Sequence, residues 1–168
     1  IALLAFVSIV GTGVLVNVHT GTYGNGYAEE FFEVGELNKK INNSPAALIA
    51  DSGFKTEEYR FDQAKLHWVR NVNVLYGVKG INFYSSFYNQ NVDVFRQELG
   101  LSDDYFNYRF IGNDSRAALD YVLGSKYFVA SKSDSFKVPY GYSLADESHK
   151  KYDIYSTEYA LPISFACS

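Results

Sequence analysis

The residues best suited to chemistry are polar and aromatic side chains concentrated between positions 60 and 89. Amides and hydroxyls can pair with sugar hydroxyls, and an aromatic ring can cover the apolar face of a sugar. Arginine forks match the oxygens of a phosphate group. We therefore predict a site for a glycan or a polyol phosphate, formed by the following residues: Arg60, Trp68, Arg70, Asn71, Asn73, Tyr84, Ser85, Ser86 and Asn89. The alternative is that these amides and hydroxyls satisfy backbone groups in loops and that the rings belong to the core.

The sequence does not contain the residue patterns that are typical of metal sites or of hydrolase active sites. The three histidines, His19, His67 and His149, are isolated, so no metal-ligand spacing is present. Ser85-Ser86 lacks the Gly-x-Ser-x-Gly elbow of a hydrolase nucleophile. The adjacent acids Asp103-Asp104 follow Leu-Ser and are typical of a turn or a helix start. We predict no catalytic residue, no metal and no cofactor in this chain.

Composition indicates a folded, acidic domain. The 168 residues are 47% hydrophobic, which is enough for one domain with its own core. A formal net charge of −4 argues against nucleic acid, because phosphate backbones require a concentrated basic surface. Cys167 is the single cysteine and has no internal disulfide partner. The absence of methionine predicts either a piece of a longer protein or a sequence from which methionines have been omitted.

Residues 1–16 carry no charge and form the most hydrophobic stretch of the chain. A spanning helix needs about 20 apolar residues, so this run is short for one by itself. We favour the outer end of a transmembrane helix. A buried strand pair turning at Gly11-Thr12-Gly13 and the core of a signal peptide are the alternatives, although the basic start of a signal peptide is missing.

The elements that must position the candidate residues are arranged around positions 113–130. Asp114 or Ser115 is predicted to cap a helix over 115–123, which ends at Gly124. The apolar run Tyr127–Ala130 then predicts a central strand, with Leu123 and Phe128 in the core.

Two more long helices and several strands complete the prediction. Helices are expected over 27–42 and 90–99, the latter capped by Asn89 or Asn91, and a short helix restarts at Ser44-Pro45. Strands are expected near 58–62, 72–76, 81–86, 151–156 and 163–167. The predicted fold class is therefore α/β, with one domain over 17–168 and a mixed sheet of about four to six strands flanked by three helices.

Four short motifs, in order, resemble the YfhO family of bacterial membrane proteins. They are Glu-Tyr-Arg-Phe at 58–61, the segment from Asn71 to Ser86, Leu-Gly-Ser-Lys-Tyr-Phe at 123–128, and Tyr-Asp-Ile-Tyr-Ser-Thr-Glu-Tyr-Ala-Leu-Pro at 152–162. Ser125 replaces the family's usual valine, and Ser156-Thr157 replaces its Glu-Asn. The match covers about residues 17 to 168.

The resemblance implies a cell-membrane setting. Such proteins look like C-type glycosyltransferases, whose catalytic carboxylates lie in the membrane part and which add sugars from lipid carriers to surface polymers such as teichoic acids. This chain would then be a non-catalytic extracytoplasmic domain that positions the acceptor polymer or lipid-linked donor and contacts the membrane part of the same protein. The alternative is a module that braces the membrane bundle or a partner and binds no ligand. A freestanding α/β enzyme fits less well, because no acid/base pair or nucleophile is visible.

Overall fold

The computed structural model describes residues 34–64, 71–85, 89–101 and 109–164. The helices are α1 (Val34–Asn42), α2 (Pro45–Asp51), α3 (Val72–Leu75), α4 (Gln90–Glu98), α5 (Ala117–Val122) and a 3₁₀ helix (Lys132–Lys137); the strands are β1 (Arg60–Gln63), β2 (Phe83–Tyr84), β3 (Arg109–Phe110), β4 (Ser125–Ser131), β5 (Ser143–Asp146) and β6 (Tyr152–Ser156). None of the described helices has the length and hydrophobicity needed to cross a membrane. The chain divides after Lys39 into two units, and all of the described strands belong to the second unit, from Lys40 onward.

A four-stranded sheet in the order β1-β4-β6-β5 forms the centre of this unit. β1 runs parallel to β4, whereas β6 runs antiparallel to both β4 and β5. β4 lies inside the sheet because its run Tyr127–Ala130 is apolar on both faces and fully buried. β2 and β3 form a separate antiparallel pair. The predicted α/β class, with a mixed sheet built on 127–130, is confirmed.

One face of the sheet is covered by α2 and α3. Tyr127 and Val129 of β4 point to this face and pack with Ile49 and Val72. The ring of Phe54 stacks on Tyr127 with centroids 4.6 Å apart. α2 begins as predicted, with the Ser44 hydroxyl accepting a hydrogen bond from the Ala47 N–H at 3.2 Å.

The opposite face carries Asp62 and Phe128, which are register partners in β1 and β4. The ring of Tyr142 meets Phe128 edge-on, with centroids 5.9 Å apart. Leu123, also predicted to be core, is half-buried and packs instead on a second cluster around Ile81, Leu101 and Phe110.

The helix over 90–98 agrees with its prediction. The side-chain Oδ1 of Asn89 accepts a hydrogen bond from the Asn91 N–H at 2.9 Å. Gly100 follows the helix with a left-handed φ of 56°. Of the helix predicted over 27–42, the described part is α1. Of the last predicted strand, only Ile163 and Ser164 are described, and they form a bend. The predicted boundary at 16–17 lies outside the described residues.

Two local predictions are wrong. Residues 72–75 form a short helix rather than a strand, because one helical turn buries Val72 and leaves Val74 and Leu75 exposed. Neither Asp114 nor Ser115 caps α5: both have positive φ, 53° and 57°, and form a turn before the helix begins. Arg116 occupies the cap position without a capping side-chain hydrogen bond, and its guanidinium donates instead to the carbonyls of Leu99 and Gly100.

The core on the Asp62 face can be tested by truncating Phe128. Because Phe128 is fully buried in the central strand, Phe128→Ala is expected to lower the free energy of unfolding by about 3–5 kcal/mol. Chemical denaturation measures this loss. Val122→Ala, at an exposed position of α5, is the control and should change stability by less than about 0.5 kcal/mol. Equal effects of the two substitutions would contradict this core assignment.

Candidate functional site

Two carboxylates are buried on the same face of the sheet. Asp62, in β1, is 2% exposed, and Asp120, in the middle of α5, is 0% exposed. Carboxylates are almost never fully buried unless they are paired or hydrogen-bonded. The region around them is therefore the strongest candidate for a special role among the described residues.

A single asparagine connects the two carboxylates. Asp62 Oδ2 accepts a hydrogen bond from the backbone N–H of Asn113 at 3.1 Å, and its Oδ1 accepts one from the N–H of Gln63 at 2.7 Å. The side-chain amide of Asn113 donates to Asp120 Oδ1 at 2.8 Å. Asn113 is itself fully buried. We call Asp62, Asn113 and Asp120 the acidic cluster.

A glycine brings the backbone against the acidic cluster. Gly112 has a φ of +119°, and a Cβ at this position would lie 2.7 Å from Asp62 Oδ1. No larger residue fits there without displacing the carboxylate. The turn that follows is fixed by a hydrogen bond from the Arg116 N–H to the Asn113 carbonyl at 3.0 Å, which leads the chain into α5 and so positions Asp120.

Burial raises the pKa of both carboxyl groups of the acidic cluster. Removal from water, and next the negative charge of Asp120, raise the pKa of Asp62 from 3.8 to about 8, against the lowering effect of its two backbone N–H donors. Burial also raises the pKa of Asp120, to about 6, and its hydrogen bond with Asn113 opposes that rise. Asp62 thus holds its proton at neutral pH.

Tyr142 lies beside the same cluster. Burial, followed by the charge of Asp120, raises the pKa of its hydroxyl above the usual value of 10, so the group remains a neutral phenol. Its hydroxyl donates to the carbonyl of Ser125 at the start of β4. The acidic cluster is therefore enclosed by β1, α5, the Gly112 turn and Tyr142.

This geometry suits a proton-holding structural centre better than a catalytic site. Both carboxyl groups are inaccessible to a large substrate, and each already accepts hydrogen bonds from the protein. Within the described residues, no group of three or more histidine, cysteine, aspartate or glutamate side chains is arranged to hold a metal ion.

Three of the residues predicted from sequence use their side chains to hold the backbone. The Arg60 guanidinium donates to the Leu123 carbonyl, just after α5, at 2.6 Å. Asn71, in a left-handed conformation with φ 54°, donates to the Tyr84 carbonyl at 2.8 Å and accepts from the Tyr84 N–H at 2.9 Å, as a neighbouring strand would. Asn89 caps α4. These contacts are of the kind that the alternative interpretation of the segment expects.

The remaining predicted residues fall into two groups. Asn73 lies in α3, Tyr84 in β2 with a side chain 38% exposed, and Ser85 directly after β2. Trp68, Arg70 and Ser86 lie outside the described residues. The structure brings Asn71 and Tyr84 together, and ligand binding by the set as a whole stays a prediction.

The sequence comparisons define the class of protein. The family model described as "Bacterial membrane protein YfhO" matches residues 1–168. The chain belongs to this family of bacterial membrane proteins. The resemblance found in the four short motifs is thereby confirmed.

A curated relative is much longer than the stretch that this chain matches. The chain is similar to the uncharacterized protein YfhO of Bacillus subtilis (strain 168), with 28% identity in an alignment of 106 residues that covers 58% of this chain. The match spans 12% of the length of that relative. No solved structure matches the chain.

The acidic cluster predicts that stability falls as pH rises. Between pH 3.8 and about 8 the unfolded chain has released a proton that folded Asp62 still holds, so the unfolded state binds fewer protons. The free energy of unfolding should therefore decrease across this window, by several kcal/mol, and level off above it. Urea denaturation at a series of pH values measures the slope.

Matched variants locate the origin of this slope. Asp62→Asn should remove the decrease between about pH 6 and 8, because Asp62 is the group that titrates there, whereas the decrease below about pH 6, to which Asp120 also contributes, should remain. Asp51→Asn, at an exposed carboxylate that ends α2, should leave the whole slope unchanged. A decrease between about pH 6 and 8 that survives in Asp62→Asn would show that another group causes it.

Proposed function

We propose that this chain is a non-catalytic extracytoplasmic domain of a polytopic, glycosyltransferase-like membrane protein, where it helps to position a surface-polymer acceptor or a lipid-linked sugar donor. Membership of a bacterial membrane protein family supports the membrane setting. The extracytoplasmic side and the link to teichoic-type polymers follow from the resemblance to C-type glycosyltransferases. The activity of the whole protein is part of the proposal, since the match covers 12% of the relative's length.

The observation that carries the non-catalytic role is the state of the acidic cluster. A glycosyltransferase needs a carboxylate that reaches the reacting sugar, because a general base must lie within hydrogen-bond distance of the proton it removes. Asp62 and Asp120 are buried and hydrogen-bonded within the fold rather than exposed to a substrate. Catalysis would then belong to the membrane part of the protein.

The ligand surface in this proposal is the segment from Arg60 to Asn89. Arg60, Asn71 and Asn89 hold the backbone, and the exposed part of Tyr84 is the described contact surface of this proposal. Trp68, Arg70, Asn73, Ser85 and Ser86 are proposed to contribute to it. Weak intrinsic affinity is sufficient for a tethered domain, since tethering gives an effective ligand concentration in the millimolar range.

A bracing module that binds no ligand is the second candidate. It is favoured by one observation, the use of three predicted ligand residues as backbone hydrogen-bond partners. In that case the surface around Tyr84 would contact the protein's own membrane part or another protein.

The proposal predicts millimolar binding and no turnover. Titration of the ¹⁵N-labelled chain with short glycerol-phosphate oligomers should shift amides around Tyr84, because its exposed ring suits the polyol chain and Arg70 is proposed to bind the phosphate. Tyr84→Ser combined with Arg70→Ala should abolish the shifts, whereas Tyr159→Ser, at another exposed ring, should retain them. No shift at millimolar ligand would favour the bracing module, and sugar transfer or hydrolysis by the purified chain would contradict both candidates.

A further inference from the structure

An exposed patch of tyrosine and aliphatic side chains lies at the end of α5. Tyr140 is 91% exposed, Tyr159 is 66% exposed and Val122 is 63% exposed, and Leu161 also reaches the surface. Together with Tyr121, these residues form what we call the tyrosine patch. Exposed apolar groups that cluster in this way mark a binding surface more often than singly scattered ones do.

Contacts made by Tyr121 hold the patch together. Its hydroxyl donates to the carbonyl of Tyr140, and its own carbonyl accepts a hydrogen bond from the Leu161 N–H at 2.9 Å. The rings of Tyr121 and Tyr159 lie 5.5 Å apart. Three separate segments are thereby fixed side by side, so the exposed rings are presented from a preorganised base rather than from loose loops.

The close approach at Gly141 adds to this order. Its φ is +81°, and a Cβ there would lie 3.3 Å from the ring of Tyr159 and still closer to the Tyr121 hydroxyl. The turn between Tyr140 and Tyr142 therefore packs directly beneath both rings. The stacking of Tyr121 on Tyr142 connects the tyrosine patch to the surroundings of the acidic cluster.

We propose that the tyrosine patch docks on the headgroup region of the lipid bilayer. Tyrosine is enriched at membrane–water interfaces because its ring enters the apolar boundary while its hydroxyl stays hydrated, and leucine and valine enter with it. The chain belongs to a family of bacterial membrane proteins, which supports a bilayer as the occupant. The inference depends on that family membership and not on glycan binding.

The charges near the patch are compatible with a lipid surface. Glu158, next to Tyr159, lies 3.7 Å from the Lys126 ammonium, so this carboxylate is offset by a cation. A net negative patch would be repelled by anionic bacterial lipids, and this pairing reduces that repulsion. A glycan is the less suitable occupant, because Val122 and Leu161 provide no hydrogen bonds for sugar hydroxyls.

Position-specific fluorescence tests the proposal on the whole 168-residue chain. In a Cys167→Ser background, Tyr140→Cys or Leu75→Cys is labelled with an environment-sensitive fluorophore. Leu75 is the matched control, being 70% exposed in α3, the helix that covers the other face of the sheet. Vesicles of equal parts phosphatidylethanolamine and phosphatidylglycerol, with nitroxide-labelled lipid added, are then titrated in.

The expected result is a blue shift and nitroxide quenching at position 140 that are several-fold larger than at position 75. Residues 1–16 are present in both labelled chains, so positions 140 and 75 are compared in chains that carry the same hydrophobic segment. Val122→Ser with Leu161→Ser should reduce the response at position 140, and melting curves show whether these variants remain folded. Equal responses at both positions, no response at position 140, or a response there to glycerol-phosphate oligomers without vesicles would overturn the proposal.

Discussion

A buried carboxyl group must either find compensation in the protein or give up its charge, since an uncompensated charge in the interior costs far more than a domain's net stability. In this domain two backbone N–H groups donate to Asp62, the side-chain amide of Asn113 donates to Asp120, and the Tyr142 hydroxyl also lowers the pKa of Asp120. Those hydrogen bonds do not outweigh burial and mutual repulsion, so the pKa of Asp62 rises and the group remains protonated at neutral pH. The free energy of folding thereby becomes dependent on pH.

β1, the turn at Gly112 and α5 together enclose this pair of carboxyl groups. β1 supplies Asp62 parallel to β4, and Gly112 lets the following turn approach the carboxyl group closely enough for Asn113 to bridge to Asp120. The Arg60 guanidinium then bonds the carbonyl of Leu123, which ties the end of α5 to the start of β1. Arg60, which was predicted to contact a ligand, is thus part of the frame around the acidic cluster.

Sequence patterns predicted the elements whose signals are local. The run Tyr127–Ala130 is apolar on both faces, so it specified a central strand, and Ser44-Pro45 and Asn89 are strong helix starts. The acidic cluster could not be predicted in this way, because the hydrogen bond between Asn113 and Asp62 joins residues 51 positions apart. In the helix predicted over 115–123 the apolar residues Ala118, Leu119, Val122 and Leu123 recur at helical spacing, which is typical of a buried face, yet Val122 is exposed and Asp120 is buried. An acidic residue in a short helix, close to a Gly-Asn turn, was the available signal, and periodicity assigns it to the solvent.

The family places this domain in a membrane protein, and its two surfaces then have different proposed tasks: the Tyr84 region toward a polymer and the tyrosine patch toward lipid. Both depend on a rigid centre. The most direct test of that centre is the titration of the Asp62 side-chain carboxyl carbon by ¹³C NMR, assigned from the signal that disappears in Asp62→Asn. The account predicts a midpoint near pH 8, and a midpoint near the ordinary value of 3.8 would contradict it.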